Sequence, residues 1–176
     1  MKISMHTMAV DTFVPGLESL SKLLGKGAEY AKEHKIDLLN ARLAPDMFTL
    51  AQQVQVACYQ AADGTSRLAG RGTTTFSEAA TSFDGMKNDV AKAIAFVRSI
   101  PAAEFEGSEA RDCSVTPPNA GIVIKMDGLV FLRSWLLPHF YFHLTTAYDI
   151  MRHKGVTLGK IDFVSWMGPH IEPLKT

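Results

Sequence analysis

The chain has 176 residues, of which 47% are hydrophobic and 20% charged, a balance that belongs to an ordinary folded protein and excludes a disordered one. Its 18 Lys and Arg residues against 18 Asp and Glu leave a formal charge of zero, so no basic stripe marks it as a nucleic-acid partner. No uncharged apolar run approaches the roughly 20 residues of a membrane span, and the opening Met1–His6 lacks the apolar core of a signal peptide. Two cysteines, Cys58 and Cys113, do not make a disulfide scaffold and point to a reducing, cytoplasmic compartment. At this length one domain over residues 1–176 is expected, with a tail from about residue 167.

A 3.6-residue period recurs four times. Phe13, Leu17, Leu20, Leu24, Ala28 and Ala31 predict a first helix over roughly 7–33, with Pro15 near its first turn or kinking it. Met47, Leu50, Val54, Ala57, Ala61 and Leu68 predict a second helix, with Pro45-Asp46 as its N-cap and Gly70 as its stop. Phe76, Ala79, Phe83, Met86, Val90, Ala93 and Val97 predict a third, opened by the capping-box pattern Thr75-x-x-Glu78 and closed by Pro101. Leu129, Leu132, Leu136, Phe140, His143, Ala147 and Ile150 predict a fourth, capped by Asp127 and ending at Lys154-Gly155.

Between the third and fourth helices the period changes. Cys113–Thr116, the turn residues Pro117–Gly121 and Ile122–Met126 read as a small β-hairpin, which must lie on the helices because a lone hairpin is marginal in water. Beyond residue 156 the pattern predicts a loop, a short helical turn around Asp162–Trp166 and a Pro-bearing tail. Four amphipathic helices can bury their stripes only against one another, and the expected class is all-α, a four-helix bundle with one hairpin.

Two stretches carry a family resemblance. Leu38-Leu39-Asn40-Ala41-Arg42-Leu43-Ala44-Pro45-Asp46-Met47-Phe48 is the first. The second is Phe140-Tyr141-Phe142-His143-Leu144-Thr145-Thr146-Ala147-Tyr148, running on through Arg152-His153-Lys154-Gly155-Val156 to Leu158-Gly159-Lys160 and Asp162-Phe163. Over about residues 5–165 the chain resembles an uncharacterised bacterial domain-of-unknown-function family in the DinB/YfiT-like superfamily. The resemblance implies a four-helix bundle, often dimeric, with a groove that in better-known relatives holds a divalent metal. Some of those relatives are thiol-dependent transferases or isomerases.

The foremost chemical candidate is His139-x-x-x-His143 on the fourth helix. Residues at i and i+4 stand one above the other, so two imidazoles there can share one Zn²⁺ or Ni²⁺ and leave room for a third ligand and a water. In metal-binding members of the superfamily the third histidine comes from the second helix. Here that helix reads Ala51-Gln52-Gln53-Val54-Gln55-Val56-Ala57-Cys58, with no histidine, so the residues weigh against a bound metal. Gln55 and Cys58, three apart on one face, are the available substitutes.

The second candidate is a polar and aromatic pocket of Asp46, Gln55, Cys58, Tyr59, Tyr141, His143 and Tyr148. Buried Tyr and His need partners, so such a cluster is either a packing network or the lining of a binding site. His143 lies on the core stripe and is the catalytic candidate, a general base with or without a metal.

His153 is ten residues from His143, about 15 Å along a helix, too far to share its metal. His34 and His170 read as solvated, and His6 precedes the first helix. Cys58 reads more naturally as a small buried side chain than as a nucleophile. There is no C-x-x-C, no G-x-S-x-G elbow and no phosphate loop.

Trp135, Phe140, Tyr141 and Phe142 surround the fourth helix on more than one face, so some of them must meet the hairpin, the C-terminal segment or a second subunit, and a homodimer is expected. Two functional classes stay open. One is an enzyme or small-molecule binder working around His143, and the other is a non-catalytic dimeric bundle with a degenerate metal site.

Overall fold

The computed structural model describes residues 3–74, 78–117 and 121–172. Ser4 caps α1 (Met5–His34) by accepting the Thr7 N–H, and Lys35, left-handed at φ 52°, ends it with an N–H to the Ala31 carbonyl. Pro15 sits inside this helix, well beyond its first turn. Its missing donor orphans only the carbonyl of Asp11, an exposed residue that water can serve. α2 (Leu50–Leu68) and α3 (Phe83–Ser99) follow. The last rod is continuous: α4 (Gly128–Val130), a π-helical stretch Phe131–Leu136 and α5 (Leu137–His153). α6 (Lys160–Phe163) and a 3₁₀ turn, Ser165–His170, then lie back against α1.

The long helices form a ring in the order α1, α3, α2, α5, with α5 returning to α1. Gln53 meets His143, Gly64 meets Leu136, and Arg67 meets Phe131, so α2 and the last rod run antiparallel. The expected stripes fill the interior: Phe13, Leu17, Leu20 and Leu24; Leu50, Val54, Ala57 and Ala61; Met86, Val90, Ala93 and Val97; Leu132, Leu136, Phe140 and Ala147. Glycines set the closest approaches. A Cβ on Gly64 would stand 2.2 Å from Leu136 Cδ2, and one on Gly16 would stand 2.8 Å from the Phe140 ring. No helix among the described residues is long and apolar enough to cross a membrane.

Four expectations need correction. α2 begins at Leu50, not at Pro45-Asp46: Thr49 Oγ1 accepts the Gln52 N–H while Gln52 Oε1 accepts the Thr49 N–H. The preceding loop enforces this start, because the carbonyls of Ala41 and Leu39 take the N–H groups of Leu50 and Ala51. α3 begins at Phe83, with Ser82 accepting the Gly85 N–H. Thr75 and Phe76 lie outside the described residues, and Glu78 precedes the helix.

The third correction concerns Leu129, which is exposed while Phe131 is buried. The π-helical stretch, in which the Leu137 N–H reaches back to the Leu132 carbonyl, shifts the phase of everything before it. It ends just ahead of Pro138, where a regular α-turn would press the proline ring on the Ser134 carbonyl.

The fourth is the hairpin. No strand forms among the described residues; two isolated antiparallel bridges remain, Asp112 with Asp127 and Val115 with Ile124. Pro117 cannot donate to a ladder, and the Cys113 carbonyl, which would accept the Met126 N–H, goes with that of Ser114 to the Arg67 guanidinium at 3.3 and 2.5 Å, while the Met126 N–H turns to Ser114 Oγ. Pro118, Asn119 and Ala120 of the expected turn, and the last four residues of the expected tail, lie outside the described residues.

Candidate functional site

The site is built from the loop between α1 and α2. Leu38 buries there completely, Asp37 holds the Asn40 amide at 2.7 Å, and Arg42 donates to the Pro45 carbonyl. Thr49 then starts α2 with Phe48 just outside it, against the first turns of the helix. Gln53, one turn in, is 1% exposed. Its Nε2 donates to the Phe48 carbonyl at 3.5 Å, which turns its Oε1 toward α5.

That oxygen accepts the Nδ1–H of His143 at 2.7 Å. A carboxamide oxygen can only accept, so the proton lies on Nδ1 and the Nε2 lone pair is free to take a hydrogen bond. His143 is 8% exposed. The Phe48 ring lies nearly parallel to it at 6.3 Å, and the Phe142 ring stands edge-on at 5.2 Å. Phe48 and Phe142 themselves are 48% and 56% exposed. Burial, helped by the charge of His139, pulls the His143 pKa down to about 4. The result is a neutral imidazole of fixed tautomer flanked by two exposed aromatic rings.

His139 is half-buried one turn earlier. Its Nδ1–H donates to the Trp135 carbonyl at 2.6 Å, and its ring lies against the Trp135 indole at 4.3 Å. Both imidazoles thus carry the carbonyl partner on Nδ1 that a metal-ligating histidine commonly has. The donor set nevertheless ends at two. The α2 residue facing His143 is Gln53, whose oxygen is already engaged, and no group of three His, Cys, Asp or Glu converges among the described residues. Metal centres of this kind draw three or four ligands from the protein, so these residues do not fit the divalent ion implied for the fold.

The other expected pocket residues are spread over the loop, α2 and α5. Asp46 is exposed on the loop, and Gln55 is half-buried on α2. Cys58 is fully buried in the core, and burial pushes its thiol far above the usual range, the reverse of a thiolate nucleophile. Tyr59 bonds Asp63, and burial raises its hydroxyl. Tyr141 packs edge-on against Phe140 at 5.5 Å, its hydroxyl likewise raised by burial. Tyr148 lies beyond the site, donating to the Leu158 carbonyl at 3.5 Å and packing on Phe163. Of the remaining histidines, His6 packs on Phe105, and His34, His153 and His170 are exposed.

Three features went unread in the sequence. Gln53 shares a face with Leu50, Val54 and Ala57 at helical spacing, and that position was a usable signal. Phe48 carried no such signal. The third is a polar cluster at the far end of α2, where the buried Asp63 carboxylate accepts the Thr74 N–H at 2.8 Å and faces Arg67 at 3.8 Å. Arg67 in turn lies over the Phe131 ring at 5.3 Å. Burial raises the Asp63 carboxyl.

Comparison with known proteins agrees with the helical fold. The domain of unknown function DUF1993 matches residues 5–164. The crystal structure of a DinB family member protein from Shewanella denitrificans is similar to the chain at 30% sequence identity and a TM-score of 0.83. The match covers 97% of this chain and 94% of that one. No curated protein matches.

Proposed function

The chain belongs to the DUF1993 family of DinB-like helical proteins, and on that premise we propose that it binds a small molecule at the His143 face without a metal. The observation that carries this reading is the bond from His143 Nδ1–H to Gln53 Oε1. It fixes an acceptor, Nε2, between two exposed aromatic rings. A ligand that offers one N–H or O–H donor and a flat apolar body satisfies both features. Catalysis by His143 as a general base is the weaker use, because a group titrating near 4 has little basicity at neutral pH. A thiolate from Cys58 is weaker still, given its burial.

The test is a ligand-observed NMR screen of phenols, indoles and aromatic amines, repeated on His143→Phe. Hits that vanish in the variant support the reading. Hits that persist unchanged, or an absence of hits, overturn it.

One observation favours a second copy as a further partner. Phe48 and Phe142 are exposed on either side of His143, and a homodimer would cover them. Light scattering at twice 19.3 kDa, reverting to one chain mass in Phe142→Glu, supports it; a single chain mass at micromolar concentration removes it. Two buried free thiols support the reducing, cytoplasmic setting.

A further inference from the structure

A separate cavity of about 320 Å³ lies between α1 and the C-terminal turns, at the lower end of the volumes that hold small ligands. Ser19, fully buried on α1, shares its hydroxyl proton between the carbonyls of Asp162 and Phe163 at 2.8 and 2.6 Å, which anchors the turns beside the helix. Ser165 donates to Ser19 at 3.3 Å. The floor of the cavity is therefore held by a fully buried group.

Its two cations differ. Lys26 pairs with Asp162 Oδ1 at 2.7 Å, while Asp162 Oδ2 accepts the Gly159 N–H, so that carboxylate is fully engaged and its pKa is lowered. Lys22, one turn earlier on the same face, donates only to the neutral Ser165 hydroxyl at 3.3 Å and meets no carboxylate among the described residues. One ammonium with donors to spare thus stands over walls made by Leu23, Ile161 and Ile171. Ile161 and Ile171 are more than half exposed, although they flank a recess.

We propose that this cavity binds small monocarboxylates with an aliphatic or aromatic body, the carboxylate resting on Lys22 Nζ beside Ser165 Oγ and the body covering Ile161 and Ile171. A single surplus positive charge matches a monoanion. A dianion such as phosphate would meet the Asp162 carboxylate and leave the apolar walls uncovered.

The test is an amide NMR titration with benzoate and hexanoate, set against benzamide, hexanol and inorganic phosphate. Both carboxylates are expected to shift Lys22, Ser165 and Ile171 together, and the uncharged analogues to bind at least about tenfold more weakly, as loss of a charge-assisted hydrogen bond implies. Lys22→Met should lose that preference and Lys22→Arg keep it. Lys22 is exposed, so neither substitution threatens the fold. The proposal fails if the carboxylates produce no localised shifts, if benzamide matches benzoate, if phosphate binds as well as benzoate, or if Lys22→Met binds like the parent protein.

Discussion

Lowering the pH should weaken the fold through His143, and the size of the effect can be worked out in advance. Buried and hydrogen-bonded as a neutral ring, His143 titrates at about 4 in the native protein against 6.5 when free. Between those values the unfolded chain accepts a proton that the folded chain refuses. Stability is therefore intact above about pH 6.5 and lost progressively as the pH falls toward 4. The gap between 6.5 and about 4, at ~1.4 kcal/mol per unit, comes to about 3.5 kcal/mol in full, of which about 3 kcal/mol is lost by pH 4.

Asp63 contributes with the opposite sign, because a carboxyl raised by burial binds its proton more readily in the folded state. The measurement is therefore a difference. Urea unfolding of the parent and of His143→Gln, in steps from about pH 7 to 4, isolates the imidazole, because the glutamine amide can still donate to Gln53 but does not titrate. The parent should lose about 3 kcal/mol more than the variant over that range. Parallel curves would refute the claim that His143 is held neutral by its surroundings, and a ring proton titrating by NMR near its free value would refute it independently.

Three further outcomes test the packing and the site. Gly64→Ala places a methyl within 2.2 Å of Leu136 and should lower stability by about 1–3 kcal/mol through overpacking, with part recovered in the Gly64→Ala, Leu136→Ala double variant; thermal denaturation of the set reads this directly. Arg67→Met strips the Cys113 and Ser114 carbonyls of their donor and leaves Asp63 buried without its cation. A loss of about 3–5 kcal/mol in chemical denaturation is expected, and a change under 1 kcal/mol would show that the cluster is solvated after all. Zn²⁺, Ni²⁺ and Mn²⁺ should leave the melting temperature of the metal-stripped protein unchanged, since the donor set stops at His139 and His143. A rise that His143→Ala abolishes would restore the metal.

Much of the architecture was legible because it rests on periodicity, which is a property of the chain alone. Phe13 to Leu24, Val90 to Val97 and Leu132 to Ala147 recur at the helical interval, and every helix that buries such a stripe must find another. The inward position of His143 followed from the same count, since it stands between Phe140 and Ala147 on the stripe of the last helix. Asp127 and Lys154-Gly155 marked the ends of that rod correctly, because caps are decided by a few adjacent residues.

What the tertiary structure alone decided depends on hydrogen bonds between distant segments. The start of α2 combines a local capping box of Thr49 and Gln52 with the carbonyls of Leu39 and Ala41, which local propensity does not reveal, so Pro45-Asp46 looked like a cap and is a loop. The π-helical stretch that exposes Leu129 and buries Phe131 is a choice of bonding register; Pro138 disfavours the regular one, but which side chains the shift turns inward is seen only in the packed bundle. Arg67 withdrew the Cys113 carbonyl from the expected hairpin, and only its position across the bundle made that possible. The partner of His143 was settled only partly in this way: the stripe of Leu50, Val54 and Ala57 already turns Gln53 inward, and the packing of α2 against α5 then brings it to the imidazole.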